Sequence, residues 1–352
     1  MIHAPRFVSL RAVQHVRGMR GGCQSHLLRA SDGNNYIVKF TNNPQGTRIL
    51  ANELLAAGLG GVLQLPMPPA AIVEVSTDLI NHSPGLVIET PTKRVQCNAG
   101  IHFGSRSMAE DGTGNCFDYL PEQLLGRLKN RNDFLGALVF DVWTSNADYR
   151  QAIFCREKTK HLYKSFFIDN GYCFKGITSD SPGHIPQPTG GVSLKIYESV
   201  RGWDSFEPWL SRIERFDANA IWQCARAIPP EWYEHCARDL ELLVVSLLRR
   251  RQLLAQLLEQ VLTKHHGLFP NWNTQRSPSF CLPNEFLPRG LNSGSALRRR
   301  GNSRVCCSAT LSRLKSTTIY FRRAVFPSPA SPPAHDSLAS RHPLPSRRRS
   351  CA

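Results

Sequence analysis

The sequence predicts an α+β fold in which a small, strand-rich first part is followed by a mainly helical second part. Short apolar runs flank turn-forming segments in the first hundred residues, apolar residues recur at helical spacing after residue 120, and this pattern ends near residue 272. The 352 residues are enough for two domains or lobes. We expect lobes over residues 1–100 and 101–272, followed by a tail over residues 273–352.

The first part is predicted to contain a hairpin, a helix and two further strands. The turn-forming sequence SDGNN separates two apolar runs, which is typical of a hairpin. Leucines share one face of the segment RILANELLAAGL, and Gly60 and Gly61 predict the end of this helix. A polar, glycine-rich stretch over residues 100–114 is expected to separate the two parts. The predicted elements are the strands His26–Ala30, Tyr36–Phe40, Ala70–Val75 and Gly85–Glu89 and the helix Arg48–Leu59.

The second part is predicted to be mainly helical. Its longest helix carries an apolar stripe that includes Leu243, Leu247 and Leu258. The basic run at residues 249–251 interrupts this stripe; a membrane-surface helix is one interpretation, and we favour packing against the second lobe. A loop rich in Pro and Gly is expected over residues 179–191. The predicted elements are the helices Pro121–Lys129, Asn132–Trp143, Trp203–Phe216, Ala218–Ala227 and Glu234–His265 and the strand Ser165–Asp169.

Most of the net charge of +16 lies in the tail. Residues 273–352 carry 14 of the 43 Lys and Arg residues and two of the 27 acidic residues, and so account for +12. With 14 Ser, 9 Pro and no sustained apolar pattern, the tail cannot bury enough apolar surface to offset its ordering entropy, and we predict disorder. The alternatives are a tether to nucleic acid or an acidic membrane, or a translated frameshift without function. We expect no nucleic-acid binding except through this tail.

The 11 cysteines are expected to be reduced thiols. The chain has no CxxC pair, and its cysteines are odd in number and irregularly spaced. This pattern predicts a cytoplasmic protein without a zinc site. The longest apolar run is far shorter than the ~18 residues that span a bilayer, and the first ten residues lack the pattern of a signal peptide. We therefore expect no membrane segment.

Two motifs in the first part suit the binding of a phosphate chain. Gly21 and Gly22 precede a predicted strand, and glycine lets backbone amides approach phosphate oxygens closely. Lys39 lies near the end of the strand YIVKF, from which an ammonium group can reach the phosphates of a nucleotide. Glu53 follows 14 residues later on the predicted helix and can pair with Lys39. Taken singly, these features are also typical of an ordinary turn, a solvated lysine and a solvated acid.

Two aspartates follow in the second part. Asp148 lies in a polar turn after an apolar helix, and Asp169 ends a buried strand 21 residues later. In phosphoryl transfer one aspartate orients or deprotonates the attacking hydroxyl group, and another holds the metal ion that bridges the phosphates. A strand followed by Asp-Asn-Gly is also an ordinary turn. The order of glycines, lysine, glutamate and two aspartates favours phosphoryl transfer.

Together these motifs resemble the HipA-like kinases, in particular the stand-alone bacterial HipA-like kinase domain. The matching stretches are GGCQSHLLRASDGNNYIVKF, the NE of ILANELLAAGL, GIHFGSR, VFDVWTSNADYR and FFIDNGYCF, which spread over residues 18–175. The resemblance implies a two-lobed, protein-kinase-like fold with a small β-rich N-lobe and a mainly helical C-lobe. It also implies ATP and Mg²⁺ as cofactors and the phosphorylation of Ser or Thr as the chemistry.

The resemblance also implies roles for individual residues. These are Gly21 and Gly22 over the phosphates, Lys39 as the phosphate-binding lysine, Glu53 as its partner, Phe103 near the adenine, Asp148 as the catalytic aspartate and Asp169 as the metal-binding aspartate.

The sequence departs from the family at the second metal ligand. The expected Asn five residues after the catalytic aspartate is Ile153, which cannot bind a metal ion, and the amide oxygen of Gln151 is a possible substitute. Arg150 stands where some members carry His and could bind a phosphate. We therefore predict a HipA-like kinase that phosphorylates a hydroxyl acceptor, with protein Ser or Thr favoured. The alternative is a pseudokinase-like module that binds nucleotide without transfer.

Overall fold

The computed structural model describes residues 7–109, 115–157, 161–175, 177, 193–233 and 237–273. These residues belong to one compact unit that extends to residue 282. Apart from Asn273, the predicted tail lies outside the described residues, as does the predicted loop over residues 179–191. No helix in the described part of the chain is long and apolar enough to cross a membrane.

The described residues contain a closed barrel and two smaller sheets. The strands are β1 (Val8–Gly18), β2 (His26–Ala30), β3 (Asn35–Lys39), β4 (Ala70–Val75), β5 (Val87–Glu89), β6 (Arg94–Gln96), β7 (Gly100–Arg106), β8 (Cys116–Phe117), β9 (Gln151–Arg156) and β10 (Tyr163–Ile168). The barrel has the order β1-β2-β3-β7-β4 and is closed by the parallel pair β1–β4, its other pairs being antiparallel. β8, β9 and β10 form an antiparallel sheet in the order β10-β9-β8, and β5 pairs with β6.

The helices confirm the α+β class and follow the predicted bounds in part. They are α1 (Arg48–Val62), α2 (Thr77–Asn81), α3 (Asp133–Thr144), α4 (Trp209–Glu214), α5 (Ala218–Arg226) and α6 (Ala237–Lys264). α1 continues past Gly60, where Met67 packs so closely that a side chain on the helix would clash with it. The predicted helix Pro121–Lys129 is a 3₁₀ helix over Glu122–Arg127. The predicted helix Trp203–Phe216 is divided into a 3₁₀ turn and α4 at Pro208, whose ring cannot continue a helix.

Two clusters of buried apolar residues hold these elements together. The smaller one fills the barrel and includes Leu28, Val38 and Val73, each with no exposed surface. The larger one joins α1 to α3, α4, α5 and α6. The predicted stripe on α6 is buried throughout, and this confirms that it packs against the helical part of the fold rather than on a membrane surface.

The prediction that residues 100–114 separate the two parts of the fold is wrong for the first half of this stretch. Residues 100–106 form β7, which lies between β3 and β4 in the barrel. His102, Phe103 and Gly104 are consecutive and all buried, because a central strand is covered on both faces. Such a strand shows no alternation of polar and apolar residues, which explains why the pattern failed to reveal it. The predicted boundary between residues 100 and 101 falls at the start of this strand.

The expectation that all cysteines are reduced thiols is wrong for one pair. Cys116 on β8 and Cys155 on β9 face each other in register and form a disulfide bond. The two residues are 39 positions apart, and Cys116 lies in a polar segment that sequence analysis left without structure. Among the other described cysteines, Cys23, Cys97, Cys173 and Cys224 are free and buried. The cysteine argument for a cytoplasmic location therefore loses part of its basis.

Candidate functional site

Lys39, Glu53 and Asp169 meet in one place although they come from three separate elements. Lys39 ends β3, Glu53 lies in the second turn of α1, and Asp169 directly follows β10. The Nζ atom of Lys39 lies 2.5 Å from Oε1 of Glu53 and 2.7 Å from Oδ1 of Asp169. The side chain of Glu53 is 3% exposed and that of Asp169 is 32% exposed. Glu53 is thus the buried partner of the lysine, and Asp169 faces the open side.

The charges at this meeting point reinforce one another. Burial alone would lower the pKa of Lys39, but the carboxylates of Glu53 and Asp169 outweigh it and raise that pKa above its ordinary value. The ammonium group therefore stays charged at every physiological pH. A permanent cation flanked by two anions can bind a phosphate oxygen once one of those anions moves aside.

A glycine-containing loop lies over the lysine. It connects β1 to β2 and is closed by a hydrogen bond in which the backbone N–H of Met19 donates to the carbonyl of Ser25. Gly21 has a φ of +126°, which only glycine adopts readily. A Cβ atom on Gly22 would lie 2.7 Å from Nε2 of Gln45, so a larger residue there would displace the end of that flexible side chain.

A cavity of about 170 Å³ lies between this loop and the lysine. Seven of the eight predicted site residues line it, and Asp148 does not. The complete lining is Met19, Arg20, Gly21, Gly22, Cys23, Gln24, Ser25, Ile37, Lys39, Glu53, Ala57, Met67, Pro68, Phe103, Ser105, Gln151, Phe167, Ile168, Asp169 and Asn170. Phe103 lies directly across the sheet from Lys39 in the β3–β7 register, which places an aromatic ring in the cavity wall beside the lysine.

Gln151 and Asp169 supply oxygen donors at the edge of the cavity. The amide Nε2 of Gln151 lies 3.0 Å from Oδ2 of Asp169, and rotating this amide by 180° would present its oxygen instead. Carboxylate and amide oxygens are the ligands that Mg²⁺ accepts, with substrate phosphates and water completing its shell. The described residues hold no cluster of three or more His, Cys, Asp or Glu side chains suited to a metal ion. Asp169 and Gln151 can supply two of the oxygen ligands of such an ion.

Asp148 lies outside the cavity lining, in the loop between α3 and β9. α3 ends at Thr144, and its C-cap residue Ser145 has a φ of +52°, in the left-handed region. The backbone N–H of Asp148 donates to Oδ1 of Asn146 at 3.1 Å, and its own Oδ1 accepts from the N–H of Tyr149 at 2.7 Å. The half-buried carboxylate of Asp148 is therefore held in a tight polar turn.

The elements that carry Lys39, Glu53 and Asp148 lie within one region that matches a known protein family. Residues 14–163 match the model of the family described as HipA-like kinase. Residues 14–163 belong to the HipA-like kinase family. The match covers Gly21, Gly22, Lys39, Glu53 and Asp148 and ends before Asp169.

Three solved structures resemble the chain at low identity. The Golgi casein kinase with Mn/ADP bound is 10% identical and has a TM-score of 0.41. The similarity covers 76% of this chain and 75% of that chain. Another structure of the Golgi casein kinase is 11% identical and has a TM-score of 0.42, and the similarity covers 75% of each chain. The Helicobacter pylori proinflammatory kinase CtkA is 14% identical and has a TM-score of 0.41. The similarity covers 67% of this chain and 95% of that chain. No curated protein matches this sequence. The assignment to the HipA-like family rests on the family match.

The structure places Ile153, the residue that departs from the expected metal-binding Asn, inside a β-sheet. Ile153 lies within β9 and faces Phe166 of β10 in the register of the two strands. Its backbone is part of a sheet ladder and its side chain has no donor atom. Gln151 begins the same strand and is exposed, so it is the residue of this strand that reaches Asp169.

Arg150 is not available to bind a phosphate, and that interpretation of the sequence is wrong. Its side chain is 3% exposed and forms an ion pair with Asp141, which has no exposed surface. Its Nη1 atom donates to Oδ1 of Asn170 at 2.7 Å. Sequence analysis missed Asp141 and Asn170, which hold the residues around the cavity in place. The one available signal was Asp141 itself, a charged residue inside the apolar run of α3.

Proposed function

We propose that this chain is an ATP-dependent kinase that transfers the γ-phosphate of ATP to a hydroxyl group, with protein Ser or Thr as the favoured acceptor. The observation that carries the proposal is the convergence of Lys39, Glu53 and Asp169 below the glycine loop, within 2.7 Å of the lysine nitrogen. HipA-like family membership of residues 14–163 supports it independently. The division into a β-rich N-lobe and a helical C-lobe belongs to the same proposal, with β7 included in the first lobe.

Each residue has a separate task in this proposal. The backbone amides around Gly21 and Gly22 and the Lys39 ammonium bind phosphate oxygens. Glu53 keeps hold of Lys39 from the buried side, while Asp169, which is more exposed, exchanges its contact with Lys39 for the metal ion. Mg²⁺, when bound by Asp169 and Gln151, supplies neutralisation of the charge on the phosphates. Asp148 orients the acceptor hydroxyl group and accepts its proton.

The position of Asp148 outside the nucleotide cavity suits this division of labour. The acceptor must approach the γ-phosphate from the side opposite the leaving ADP, so its activating aspartate belongs outside the pocket that holds the nucleotide. Tyr149, next to Asp148, is 43% exposed, so a protein segment can approach this loop, which supports a Ser or Thr side chain as the acceptor.

The experiment is a transfer assay on the full chain with labelled ATP, with and without Mg²⁺, together with nucleotide binding. We expect Mg²⁺-dependent labelling of the chain or of a general protein substrate. Asp148→Asn should lower labelling by about 10³-fold or more while leaving ATP binding within about threefold. The matched control is Asp118→Asn, which removes an exposed carboxylate in the segment before the helical part.

A nucleotide-binding module without transfer is the second candidate, favoured by Ile153 in place of the usual metal ligand. It predicts that ATP binds and that wild type transfers no more phosphate than Asp148→Asn. Binding of ATP that is lost in Lys39→Met but is unaccompanied by labelling would decide for this candidate.

A further inference from the structure

A buried ion pair lies where the proposed catalytic loop meets the proposed metal-binding turn. Nε of Arg150 donates to Oδ2 of Asp141 at 3.0 Å, and Nη2 of Arg150 donates to Oδ1 of the same carboxylate. The two side chains are 3% and 0% exposed. Neither residue lines the cavity, so any contribution to function passes through their neighbours.

The arginine holds the turn that contains Asp169. Its Nη1 atom donates to Oδ1 of Asn170 at 2.7 Å and lies 3.5 Å from the carbonyl oxygen of Ile168. These are the residues on either side of Asp169, whose φ of +58° places it in the left-handed region. Asn170 in turn donates from Nδ2 to Oε2 of Glu53 at 3.4 Å. A planar guanidinium with several fixed donors therefore defines the conformation of this turn.

The aspartate holds the loop that contains Asp148. Oδ1 of Asp141 accepts a second hydrogen bond, from Nδ2 of Asn146 at 3.0 Å. The other end of the same amide, Oδ1 of Asn146, accepts from the backbone N–H of Asp148 at 3.1 Å. Asn146 is fully buried, so its side chain has no competing water. One carboxylate thus connects α3 to the backbone of the proposed catalytic residue.

We propose that the Asp141–Arg150 ion pair is the positioning element that fixes Asp148 relative to Asp169. Hydrogen bonds run without interruption from the N–H of Asp148 through Asn146, Asp141, Arg150 and Asn170 to Glu53, the partner of Lys39. In-line transfer depends on the relative placement of acceptor and phosphate, and a misplacement of about 1 Å costs about 10²-fold in rate. The inference deepens the proposed kinase function and rests on it for its rate readout alone.

The test replaces the two charges together. Arg150→Ala alone would leave the Asp141 carboxylate buried without a partner and can fail to fold. The double variant Asp141→Leu/Arg150→Met fills the same space with apolar side chains and removes every hydrogen bond from the pair to the two loops. A matched control is Lys129→Met/Glu157→Leu, which removes an ion pair whose side chains are 48% and 33% exposed.

The first readout is amide hydrogen exchange in the apo protein, which requires no activity. We expect exchange in residues 146–150 and 168–171 to be about tenfold faster or more in the double variant, with the β2–β3 hairpin unchanged. The control should leave both loops as in wild type. Unchanged exchange in both loops of a folded double variant would overturn the proposal.

The second readout separates kcat from KM. We expect kcat to fall about 10²-fold in the double variant while KM for ATP stays within about threefold, since the Lys39–Glu53 pair is intact. A pair that only filled space would leave kcat unchanged once the fold is restored, and that result would also overturn the proposal. If wild type transfers no phosphate, the kinase function fails while the exchange experiment still decides the positioning role.

Discussion

The ammonium nitrogen of Lys39 lies 2.7 Å from Oδ1 of Asp169, although 130 residues separate the two along the chain. The same nitrogen contacts Glu53 on its buried side. A single cation therefore joins the barrel, α1 and the turn after β10. Removing this cation leaves two carboxylates facing each other. The loss of folding stability comes mainly from Glu53, because its carboxylate is buried and cannot be hydrated.

The first prediction concerns that cost. Lys39→Met should lower the free energy of unfolding by about 3–5 kcal/mol, the usual result of leaving a buried charge without its partner. Adding Glu53→Gln removes the uncompensated charge and should recover more than half of the loss. Urea denaturation of the three proteins measures this. The exposed lysine variant Lys129→Met, its control, should cost less than about 1 kcal/mol. Equal small losses at both lysines would contradict the prediction.

The second prediction concerns Arg250, which is 1% exposed in the middle of α6. Its Nε atom donates to the carbonyl of Trp143 at 2.8 Å and Nη2 donates to the carbonyl of Val142 at 2.5 Å. A cation at the C-terminal end of α3 also meets the negative end of the helix dipole. Arg250→Met should therefore cost about 3 kcal/mol of stability. Arg238 is exposed on the same helix, and Arg238→Met should change the free energy of unfolding by no more than about 0.5 kcal/mol in the same denaturation experiment.

The third prediction concerns the pH dependence of stability. His102 on β7 has no exposed surface; its Nδ1 accepts from the N–H of Thr41 and its Nε2 donates to the carbonyl of Asn98, so the ring is neutral. Burial lowers the pKa of His102 to about 4. Because the folded pKa is below the unfolded value of about 6.5, this contribution is complete above pH 6.5 and declines as the pH falls towards 4, by about 3 kcal/mol in all.

The matched variant for this prediction is His102→Gln, which keeps a polar side chain without a titrating ring. Unfolding free energies of both proteins between pH 7 and pH 4.5 should converge as the pH falls. His15 and His26 also have a lowered pKa, chiefly through burial, and they contribute equally to both proteins. A constant difference across this range would show that the pKa of His102 is the same in the folded and unfolded states, and would contradict the prediction.

The fourth prediction concerns the disulfide between Cys116 and Cys155. Peptide mapping without a reductant should find these two residues linked. Closing a loop of this length should stabilise the fold by about 4 kcal/mol in the chain-entropy account, so a reductant should lower the melting temperature. Cys116→Ser should show the lower temperature under both conditions. Recovery of both thiols as free, alkylated residues from protein kept under air would contradict this pairing.

The parts of the fold that the sequence predicts are those in which one local signal decides the structure. The SDGNN turn defines the β2–β3 hairpin, and the apolar stripe of α6 is buried as expected. β7 was missed because its neighbours bury both of its faces. Cys116 and Cys155 pair through a strand of two residues, which is too short to leave a pattern.

At the site, the sequence identifies the groups that point into the cavity and misses the groups that hold them. Lys39, Glu53 and Asp169 stand out because each follows or interrupts an apolar run. Asn170 looks like part of an ordinary turn, and only the structure shows that Arg150 turns inward to it. The partner of a buried charge depends on three-dimensional proximity, which local pattern does not encode.

At the buried positions of Asp141 and Arg150, selection for stability and selection for catalytic turnover favour different residues. Apolar side chains of similar volume often stabilise a protein more than a buried ion pair does, because charges lose hydration on burial. Variants of this domain selected only for heat resistance should therefore accumulate apolar residues at positions 141 and 150. The same variants should lose turnover, so that sequences retained for activity keep a less stable interior at these two positions.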